Sequence, residues 1–229
     1  MTDPNQLDDK YRLRLTFAKK EQIKYIAHLD LALAWERALR RARIPLAHSQ
    51  GFNPRPKMQV ASSLPLGTTG QAEIIDIIVT EPISVEDALA RIRPALPVGI
   101  ALHAVEAVPL KAPTLQQLVR QAEYRVLVET ELSEAELRER VAALLAAKEI
   151  IQSRQRRKKE EKFDLRPLLH ELDLIAVSQG QAELHMTLTA GQFGNLRPEA
   201  VLKALDLADQ WASIERTKLI FDDPPVSSQ

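Results

Sequence analysis

The chain has 229 residues, of which 45% are hydrophobic, 27% charged and only 4% aromatic, so one large globular domain or two small ones with aliphatic cores are expected. It contains no cysteine, which excludes disulfide bonds, a thiol nucleophile and any cysteine-ligated metal or iron–sulfur cluster. The formal net charge is zero, yet residues 11–57 hold eleven Lys or Arg against three Asp or Glu and residues 58–107 hold two against six, so a polyanion would meet a strongly positive first segment.

The first half of the chain predicts a strand, a helix, two strands, a helix and a strand. Residues 11–17 alternate apolar and polar side chains, which is typical of a strand with one solvated face. Apolar side chains recur at helical spacing through residues 31–42, with Asp30 as the N-cap and Pro45 ending the helix. The remaining segments predict strands at 57–64 and 72–80, a helix at 84–96 capped by Ser84, and a strand at 98–108.

The second half of the chain predicts the same order of elements. The order comes from a strand at 124–130, a helix at 133–147 with a Ser133–Glu136 capping box, strands at 149–155 and 181–190, a helix at 197–209 and a strand at 213–221. The layout of residues 158–177 stays open.

This repeated order predicts an α+β fold of two tandem ferredoxin-like (β-α-β-β-α-β) units with antiparallel sheets. The units are assigned to residues 11–107 and 124–221, joined by a linker at 108–123. Residues 1–10 and 222–229 are expected to be disordered.

Between the first helix and the next strand lies the stretch AHSQGFNPRPK, whose residues 51–56 form a Gly-Phe-Asn-Pro-Arg-Pro segment that we call the elbow. Its prolines stiffen the chain and its glycine permits a positive φ. A rigid loop would present Asn53, Arg55 and Lys57 to a ligand at a low entropic cost. Phe52 there would stack on a base, and the alternative interpretation is a stiff turn whose Phe52 fills the core.

Basic side chains cluster on the polar side of the first helix and of the first strand. One interpretation is a phosphate-binding surface shared with the elbow, and the alternative is a solvated helix face whose arginines are favoured by the helix dipole. In a ferredoxin-like sheet the first strand is central, and its open face is where single-stranded RNA is often bound. The residues are Arg37, Arg40, Arg41 and Arg43 on the helix and Arg12 and Arg14 on the strand.

The stretch QSRQRRKKEEKFDLRP is a second basic segment. As a β-hairpin it would reach along a nucleic acid. The alternative is a solvated hairpin in which Glu160, Glu161 and Asp164 dilute the positive charge. The candidate contacts are Arg154, Arg156, Arg157 and Lys158.

The predicted strands offer no exposed aromatic pair, so backbone or shape recognition of RNA is favoured over the reading of bases on the sheet. The five histidines lack metal-ligand spacing, and no P-loop or GxGxxG motif occurs, so no metal and no cofactor are predicted. His28 and His48 are the catalytic candidates for general acid–base cleavage of RNA, but a capping or hydrogen-bonding role is favoured for both.

The stretch from residue 25 to residue 73 resembles a bacterial radical-SAM-linked domain family of unknown function. The resemblance covers residues 11–221, with one departure at Ala27, where a serine is expected. It implies a protein fused to or encoded beside a radical-SAM enzyme, often near an RNase of the E/G class and large-subunit ribosomal proteins. Without the cysteine motif of a radical-SAM cluster, the chain resembles the stand-alone partner. The matching residues are His28-Leu29-Asp30, Arg37, Arg40 or Arg41, Gly51-Phe52-Asn53-Pro54, Pro56, Leu64-Pro65-Leu66-Gly67 and Glu73.

Charge clustering and resemblance together predict a cytoplasmic RNA-binding accessory protein that partners a radical-SAM enzyme in rRNA or tRNA modification or processing. No apolar stretch reaches 18 residues, so no membrane association is expected. Two alternatives stay open: a module that docks the radical-SAM partner without touching RNA, and a ferredoxin-like endoribonuclease. The predicted RNA-binding residues are Arg12, Arg14, Arg37, Arg40, Arg41, Asn53, Arg55, Lys57, Arg154, Arg156, Arg157 and Lys158.

Overall fold

The computed structural model of the protein describes residues 10–156 and 159–222, with the backbone alone for residues 154–156 and 159. The described residues form two compact units, which we call unit 1 (residues 10–118) and unit 2 (residues 119–222). The boundary falls inside the predicted linker at 108–123. Apart from Lys10 and Asp222, the predicted disordered ends lie outside the described residues.

Unit 1 contains four strands and three α-helices within the described residues. In chain order they are β1 (Tyr11–Lys19), α1 (His28–Arg41), β2 (Met58–Val60), β3 (Thr68–Val79), α2 (Val85–Ile92), β4 (Ile100–Val108) and α3 (Leu115–Leu118). The strands pair antiparallel in the order β4-β1-β3-β2. β1 is therefore an inner strand, as predicted, with Leu15 opposite Ile75 of β3 and Val105 of β4.

The alternation of β1 directs one of its faces into the core of unit 1. Leu13, Leu15 and Phe17 are buried on this face and belong to the same apolar cluster as Trp35 and Leu39 of α1. The Phe17 and Trp35 rings meet edge to face with centroids 4.9 Å apart. The polar side of β1 consequently faces away from the helices.

The start of α1 differs from the sequence prediction. The helix begins at His28, and the N-cap is Ala27, whose extended backbone (φ −70°, ψ 161°) carries no side-chain hydrogen bond. Asp30, the predicted cap, lies instead in the first turn, where a carboxylate is favoured by the helix dipole. At α2 the predicted cap forms, because the Ser84 hydroxyl accepts a hydrogen bond from the Asp87 N–H at 3.1 Å.

Unit 2 contains six strands and two α-helices within the described residues. In chain order they are β5 (Val119–Glu129), α4 (Glu134–Ala146), β6 (Ile151–Arg156), β7 (Lys159–Asp164), β8 (Leu169–Ser178), β9 (Gln181–Thr189), α5 (Pro198–Ala204) and β10 (Ala212–Phe221). Four strands pair antiparallel in the order β10-β5-β9-β8, and β6 pairs with β7 in a separate two-stranded sheet. The predicted capping box of α4 forms between Ser133 and Glu136.

The strand predicted at residues 149–155 forms, but the prediction that it pairs within the main sheet of unit 2 is wrong. Residues 149–155 supply β6, which pairs with β7, whereas the sheet strand comes from the segment whose layout stayed open, as β8. The hairpin of β6 and β7 is an insertion between α4 and β8. Both units are thus α+β with antiparallel sheets, as predicted.

Candidate nucleic-acid interface

The elbow forms the tip of a short hairpin over residues 47–57, which we call the elbow hairpin. Ser49 donates its backbone N–H to the carbonyl of Arg55 at 2.8 Å, and Arg55 donates its own N–H to the Ser49 hydroxyl at 2.9 Å. Below this pair, Lys57 donates its N–H to the carbonyl of Ala47 at 2.8 Å. The two arms are therefore fixed to each other by backbone hydrogen bonds.

The elbow hairpin is also anchored to β3. Ile78 of β3 donates its N–H to the carbonyl of Lys57 at 3.0 Å, and its own carbonyl accepts the N–H of Ala47 at 2.8 Å. One residue of β3 thus holds both arms of the hairpin. The arm that leads into β2 continues the pairing of β2 with β3.

The tip of the elbow hairpin displays its side chains to solvent. Gly51 has a φ of 126°, a backbone conformation that residues other than glycine rarely adopt. Phe52 has a relative exposure of 112%, so the interpretation of this ring as a core residue is wrong. Asn53, Arg55 and Lys57 are exposed as well, and their side chains make no hydrogen bond or ion pair with any described residue.

Both arginines of β1 donate hydrogen bonds to one buried carboxylate, that of Asp76. Arg12 is buried, and its Nε donates to Asp76 Oδ2 at 2.8 Å. Arg14 Nε donates to Asp76 Oδ1 at 2.9 Å, because Arg14 stands directly opposite Asp76 in the β1–β3 register. Arg12 also donates to the carbonyls of Ala112 at 2.7 Å and Pro113 at 3.1 Å. The segment after β4 therefore covers this part of the face, and the expected solvated position of Arg12 is wrong.

A cavity of about 380 Å³ opens beside this ion pair. Lys57, Arg12 and Asp76 line it together with the backbone segment around Ala112. Lys57 is thus the one elbow-hairpin cation that shares a depression with a β1 arginine in the described residues. Its ammonium group remains available for an anion there.

The α1 arginines lie on the other side of the sheet from Arg12 and Arg14. α1 packs through Trp35 and Leu39 onto the apolar face of β1, whereas Arg12 and Arg14 occupy the opposite face. The single surface predicted from the sequence is therefore not formed, because a helix and the polar side of the strand it covers cannot face the same way.

The three arginines of α1 also differ in whether their side chains already have a partner within the protein. Arg40 pairs with Glu36 at 2.7 Å, one helical turn earlier. Arg41 donates to the carbonyl of Ala95 at 2.6 Å. Arg37 is exposed and has no partner among the described residues, so its charge is the least balanced of these three.

The second basic segment forms the hairpin of β6 and β7. The backbone register places Arg154 opposite Glu161 and Arg156 opposite Lys159. Arg157 and Lys158 lie outside the described residues. At its base, Gln152 donates to the carbonyl of Ala200 in α5 at 2.9 Å, which ties the hairpin to the body of unit 2.

The open face of the unit 2 sheet is acidic. A cavity of about 290 Å³ on this face is lined by the acids Glu123, Glu171 and Asp173 and by one arginine, Arg125. Arg125 donates to both carboxylate oxygens of Glu183, at 2.6 and 3.2 Å, and this hydrogen bonding lowers the pKa of Glu183 below its ordinary value. This face would repel RNA phosphates.

The two catalytic candidates lie at opposite ends of α1. His28 begins the 14-residue helix, which is about 20 Å long, and His48 lies seven residues after its last residue. His48 Nδ1 lies 3.0 Å from the carbonyl of Leu46, a hydrogen-bonding role of the kind favoured from the sequence.

Sequence reasoning missed one residue that is important to this geometry and left the position of another open. Asp76 interrupts the apolar run AEIIDIIVT, and an acid inside such a strand is a signal for a buried ion-pair partner. The exposure of Phe52 stays open in the sequence, since a Phe flanked by Gly and Asn fits both a core residue and a loop tip. Nothing local in the sequence separates those two cases.

No three His, Asp or Glu side chains in the described ranges 10–153 and 160–222 are placed to hold a metal ion. Among the helices of these same ranges, none has the length and apolar character needed to cross a membrane.

A family model described as "Uncharacterized protein conserved in bacteria (DUF2344)" matches residues 12–198. The chain belongs to this family. The DUF2344 match includes the elbow hairpin and the hairpin of β6 and β7, so both candidate contact regions lie inside the part of the chain that defines the family. No curated protein matches the chain.

Two solved structures resemble the chain at 12% sequence identity. One is a chain of "Crystal Structure of a Cbf5-Nop10-Gar1 Complex", with a TM-score of 0.48, covering 91% of this chain and 50% of that one. The other is a chain of "Structure of H/ACA RNP bound to a substrate RNA containing 2'-deoxyuridine", with a TM-score of 0.47 and coverages of 91% and 49%. The chain thus spans about half the length of these structures. Likenesses of this strength do not define a function.

Proposed function

We propose that this DUF2344 protein is an RNA-binding accessory protein that partners a radical-SAM enzyme in rRNA or tRNA modification or processing. The observation that carries the proposal is the elbow hairpin. Its Asn53, Arg55 and Lys57 side chains are exposed and have no partner among the described residues, while the hairpin itself is held by hydrogen bonds to β3.

The electrostatic surroundings of the elbow hairpin favour a polyanion. No Asp or Glu occurs in the sequence between Glu36 and Glu73, so the hairpin carries no acid of its own. Arg and Lys bind phosphates and release condensed counterions, which supplies most of the affinity of sequence-independent binding. Phosphate contacts from Arg55 and Lys57 form the proposed surface, and Arg37 is a separate exposed cation on the helix side of the sheet.

The same reasoning narrows the set of contacts predicted from the sequence. Arg12 and Arg14 neutralise Asp76, and Arg40 pairs with Glu36, so their charges are already partly balanced. We therefore assign Arg12 and Arg14 to the structure of unit 1 and keep Arg55 and Lys57 as the primary RNA contacts, with Arg37 as a candidate contact on the helix side of the sheet. The β6–β7 hairpin remains a proposed second contact.

Binding to bulk RNA over a salt series tests the proposal. For the wild type, log K should fall linearly with log salt, with a slope of about −0.7 to −0.9 for each phosphate contact. Arg55→Glu combined with Lys57→Glu should weaken binding and make the slope shallower by roughly 1.5, since two contacts are lost. Absence of wild-type binding at low salt would refute the proposal.

A matched control carries the same change of charge on the other unit. Lys148→Glu combined with Lys203→Glu replaces two exposed lysines of unit 2. This variant should bind RNA with the wild-type slope. Equal losses for both double variants would indicate a general effect of net charge, and the elbow hairpin would lose its assignment.

A second candidate, a module that docks the radical-SAM partner without RNA, is favoured by exposed apolar residues around the start of α1. Tyr25 and Leu29 are 72% and 74% exposed, and Leu33 follows Leu29 one helical turn later. Gly67 donates its N–H to the carbonyl of Lys24 at 3.0 Å, which brings the loop of the exposed Leu66 beside Tyr25. Exposed apolar clusters of this kind mark protein-binding sites.

Co-purification with the radical-SAM partner separates the two candidates. If docking alone is the function, Leu29→Asp combined with Leu33→Asp should abolish co-purification, and Arg55→Glu combined with Lys57→Glu should leave it intact with no RNA attached. RNA in the wild-type complex that is lost with the elbow variant would instead favour the first proposal.

We also propose that each unit is ferredoxin-like and that the units are tandem copies. The order β4-β1-β3-β2 in unit 1 and β10-β5-β9-β8 in unit 2 is the order of a β-α-β-β-α-β unit, with the β6–β7 hairpin as an insertion. Backbone NOEs between residues 14 and 76 and between residues 125 and 185 would test this order, and their absence would exclude it.

A further inference from the structure

Phe52 is the most exposed of the large apolar residues in the described parts of the chain. The core of unit 1 closes without it, since Phe17, Trp35 and the surrounding aliphatic residues are buried independently of the elbow. An aromatic ring held fully in water gains nothing from folding. Its place at the tip of a hairpin therefore points to contact with something outside the chain.

The ring is displayed on a braced support. The Ser49–Arg55 hydrogen bonds close the hairpin three residues from Phe52 on either side, and Pro54 removes one freely rotating φ from the tip. Gly51 supplies the left-handed turn that carries the chain into the tip. A ring presented in this way loses little conformational entropy when it meets a ligand.

The groups beside the ring are hydrogen-bond donors and cations. Asn53, Arg55 and His48 are exposed on the same hairpin, and the nearest acids in sequence are Glu36 and Glu73. A ligand that matches this set has a flat apolar face, polar edges and a negative charge close by. A nucleotide combines these three properties.

We propose that Phe52 stacks on an unpaired base of single-stranded RNA, while Arg55 holds an adjacent phosphate and Asn53 faces the edge of a base. This inference rests on the RNA-binding function proposed above and names its substrate class. In a duplex both faces of each base are covered by neighbouring bases, so only an unpaired base offers a face to the ring. The elbow hairpin would then select unpaired segments such as loops and strand ends.

Fluorescence anisotropy with a labelled 12-nucleotide single strand and the same sequence in a duplex tests the inference. The wild type should bind the single strand more tightly than the duplex. Phe52→Ala should weaken single-strand binding about 5- to 100-fold, the range for loss of one base–aromatic stack, and should leave duplex binding unchanged. Because the ring is exposed, the variant should keep the wild-type unfolding temperature.

Further variants separate stacking from simple apolar contact. Phe52→Trp should restore or exceed wild-type affinity, because its π-face is larger, whereas Phe52→Leu should bind as weakly as Phe52→Ala. Phe193→Ala is the matched control, since it removes an exposed Phe from unit 2. It should bind the single strand as the wild type does.

The outcomes distinguish this inference from the function on which it rests. A wild type that binds no RNA at low salt overturns both. A wild type that binds RNA while Phe52→Ala binds equally well overturns the stacking role and leaves the RNA-binding function standing. Full RNA affinity of Phe52→Leu would assign the ring to simple apolar contact, and loss of a protein partner instead of RNA in Phe52→Ala would assign it to a protein contact. Either result overturns the stacking role.

Discussion

At the scale of single residues, the buried carboxylate of Asp76 determines what the β1 arginines do. Both Arg12 and Arg14 donate to it, and Arg12 and Asp76 are almost completely buried. Arg12 extends the network to the carbonyls of Ala112 and Pro113. The network therefore holds the segment after β4 against the sheet, which is a structural role.

Asp76→Ala should lower the free energy of unfolding by about 3–5 kcal/mol, because it leaves the buried Arg12 guanidinium without its counter-charge. Urea unfolding followed by circular dichroism measures the change. Glu36→Ala is the control, since it removes the partner of the exposed Arg40 and should cost no more than about 1 kcal/mol. Similar losses for the two variants would contradict the assigned role of the Asp76 network.

Ala27→Ser should stabilise unit 1 by about 0.5–2 kcal/mol. Ala27 has the extended N-cap backbone but no side-chain acceptor, and a serine hydroxyl there could accept an N–H from the first turn of α1. Thermal unfolding would show the gain as a higher Tm. The paired variant Ala32→Ser, inside the same helix, should not raise the Tm, and a gain there of equal size would argue against capping as the cause.

At the scale of elements, the open face of the unit 2 sheet is organised by cross-strand charge pairing. Arg125 of β5 stands opposite His185 of β9, and His185 stands opposite Asp173 of β8. Glu183 receives hydrogen bonds from Arg125, and its Oε1 lies 3.2 Å from His185 Nε2. The ion pair of Arg125 and Glu183 thus joins β5 to β9 across this face.

The hydrogen bonds from Arg125 lower the pKa of Glu183 in the folded protein, so its ionised form contributes stability above the ordinary Glu pKa. This contribution should be lost as the pH falls through the lowered pKa. The difference in unfolding free energy between wild type and Glu183→Gln should therefore be constant near neutral pH and shrink below about pH 4.5. Urea titrations at several pH values measure it.

Glu131→Gln is the control for this pH dependence, because Glu131 is exposed and has no ion-pair partner among the described residues. Its difference from wild type should stay near zero throughout. If the Glu183→Gln difference grew as the pH fell, the assigned pairing would be wrong.

The sequence predicts most elements of both units, but it misses β8 for a definable reason. β8 pairs with β9 through two register shifts, between Leu169 and Glu171 and between Leu174 and Ala176. Each shift breaks the alternation of buried and exposed side chains that identifies a strand. The sequence prediction instead assigns the segment at 149–155, which directly follows α4 in the chain, to the sheet.

The elbow is the only part of the candidate site that the sequence predicts. Glycine and prolines locate the elbow, because their backbone restrictions act within a few residues. The burial of Arg12 depends on Asp76 and on carbonyls about 100 residues away in sequence, which no local pattern reveals. The separation of the α1 arginines from the β1 arginines follows from packing and was likewise out of reach.

At the scale of the whole molecule, the two units carry different net charges, and four acids in the terminal residues outside them complete the zero net charge of the chain. Residues 10–118 carry fifteen Lys or Arg against nine Asp or Glu, whereas residues 119–222 carry sixteen against eighteen. Half a dozen of the unit 2 cations fall within the β6–β7 hairpin at residues 151–164. Polyanion binding should therefore be a property of unit 1 and of that hairpin.

Retention on immobilised heparin at pH 7 tests this distribution. Despite a pI of about 7.0, the chain should be retained at low salt, since a polyanion responds to local charge within a Debye length. Arg37→Glu should elute at lower salt than wild type. Lys203→Glu, the control in unit 2, should elute at the same salt concentration as wild type. A wild type that passes through unretained would show that the charges of unit 1 do not act together.

The burial of Trp35 gives the protein a built-in optical label for one of its units. The chain has two tryptophans, and while Trp35 is fully buried in unit 1, Trp211 of unit 2 is half exposed. An indole in an apolar core emits at shorter wavelength than one in water, so the emission spectrum of the native chain contains a blue component from unit 1 and a red component from unit 2. In Trp211→Phe, the remaining red shift on denaturation would report the melting of unit 1 alone.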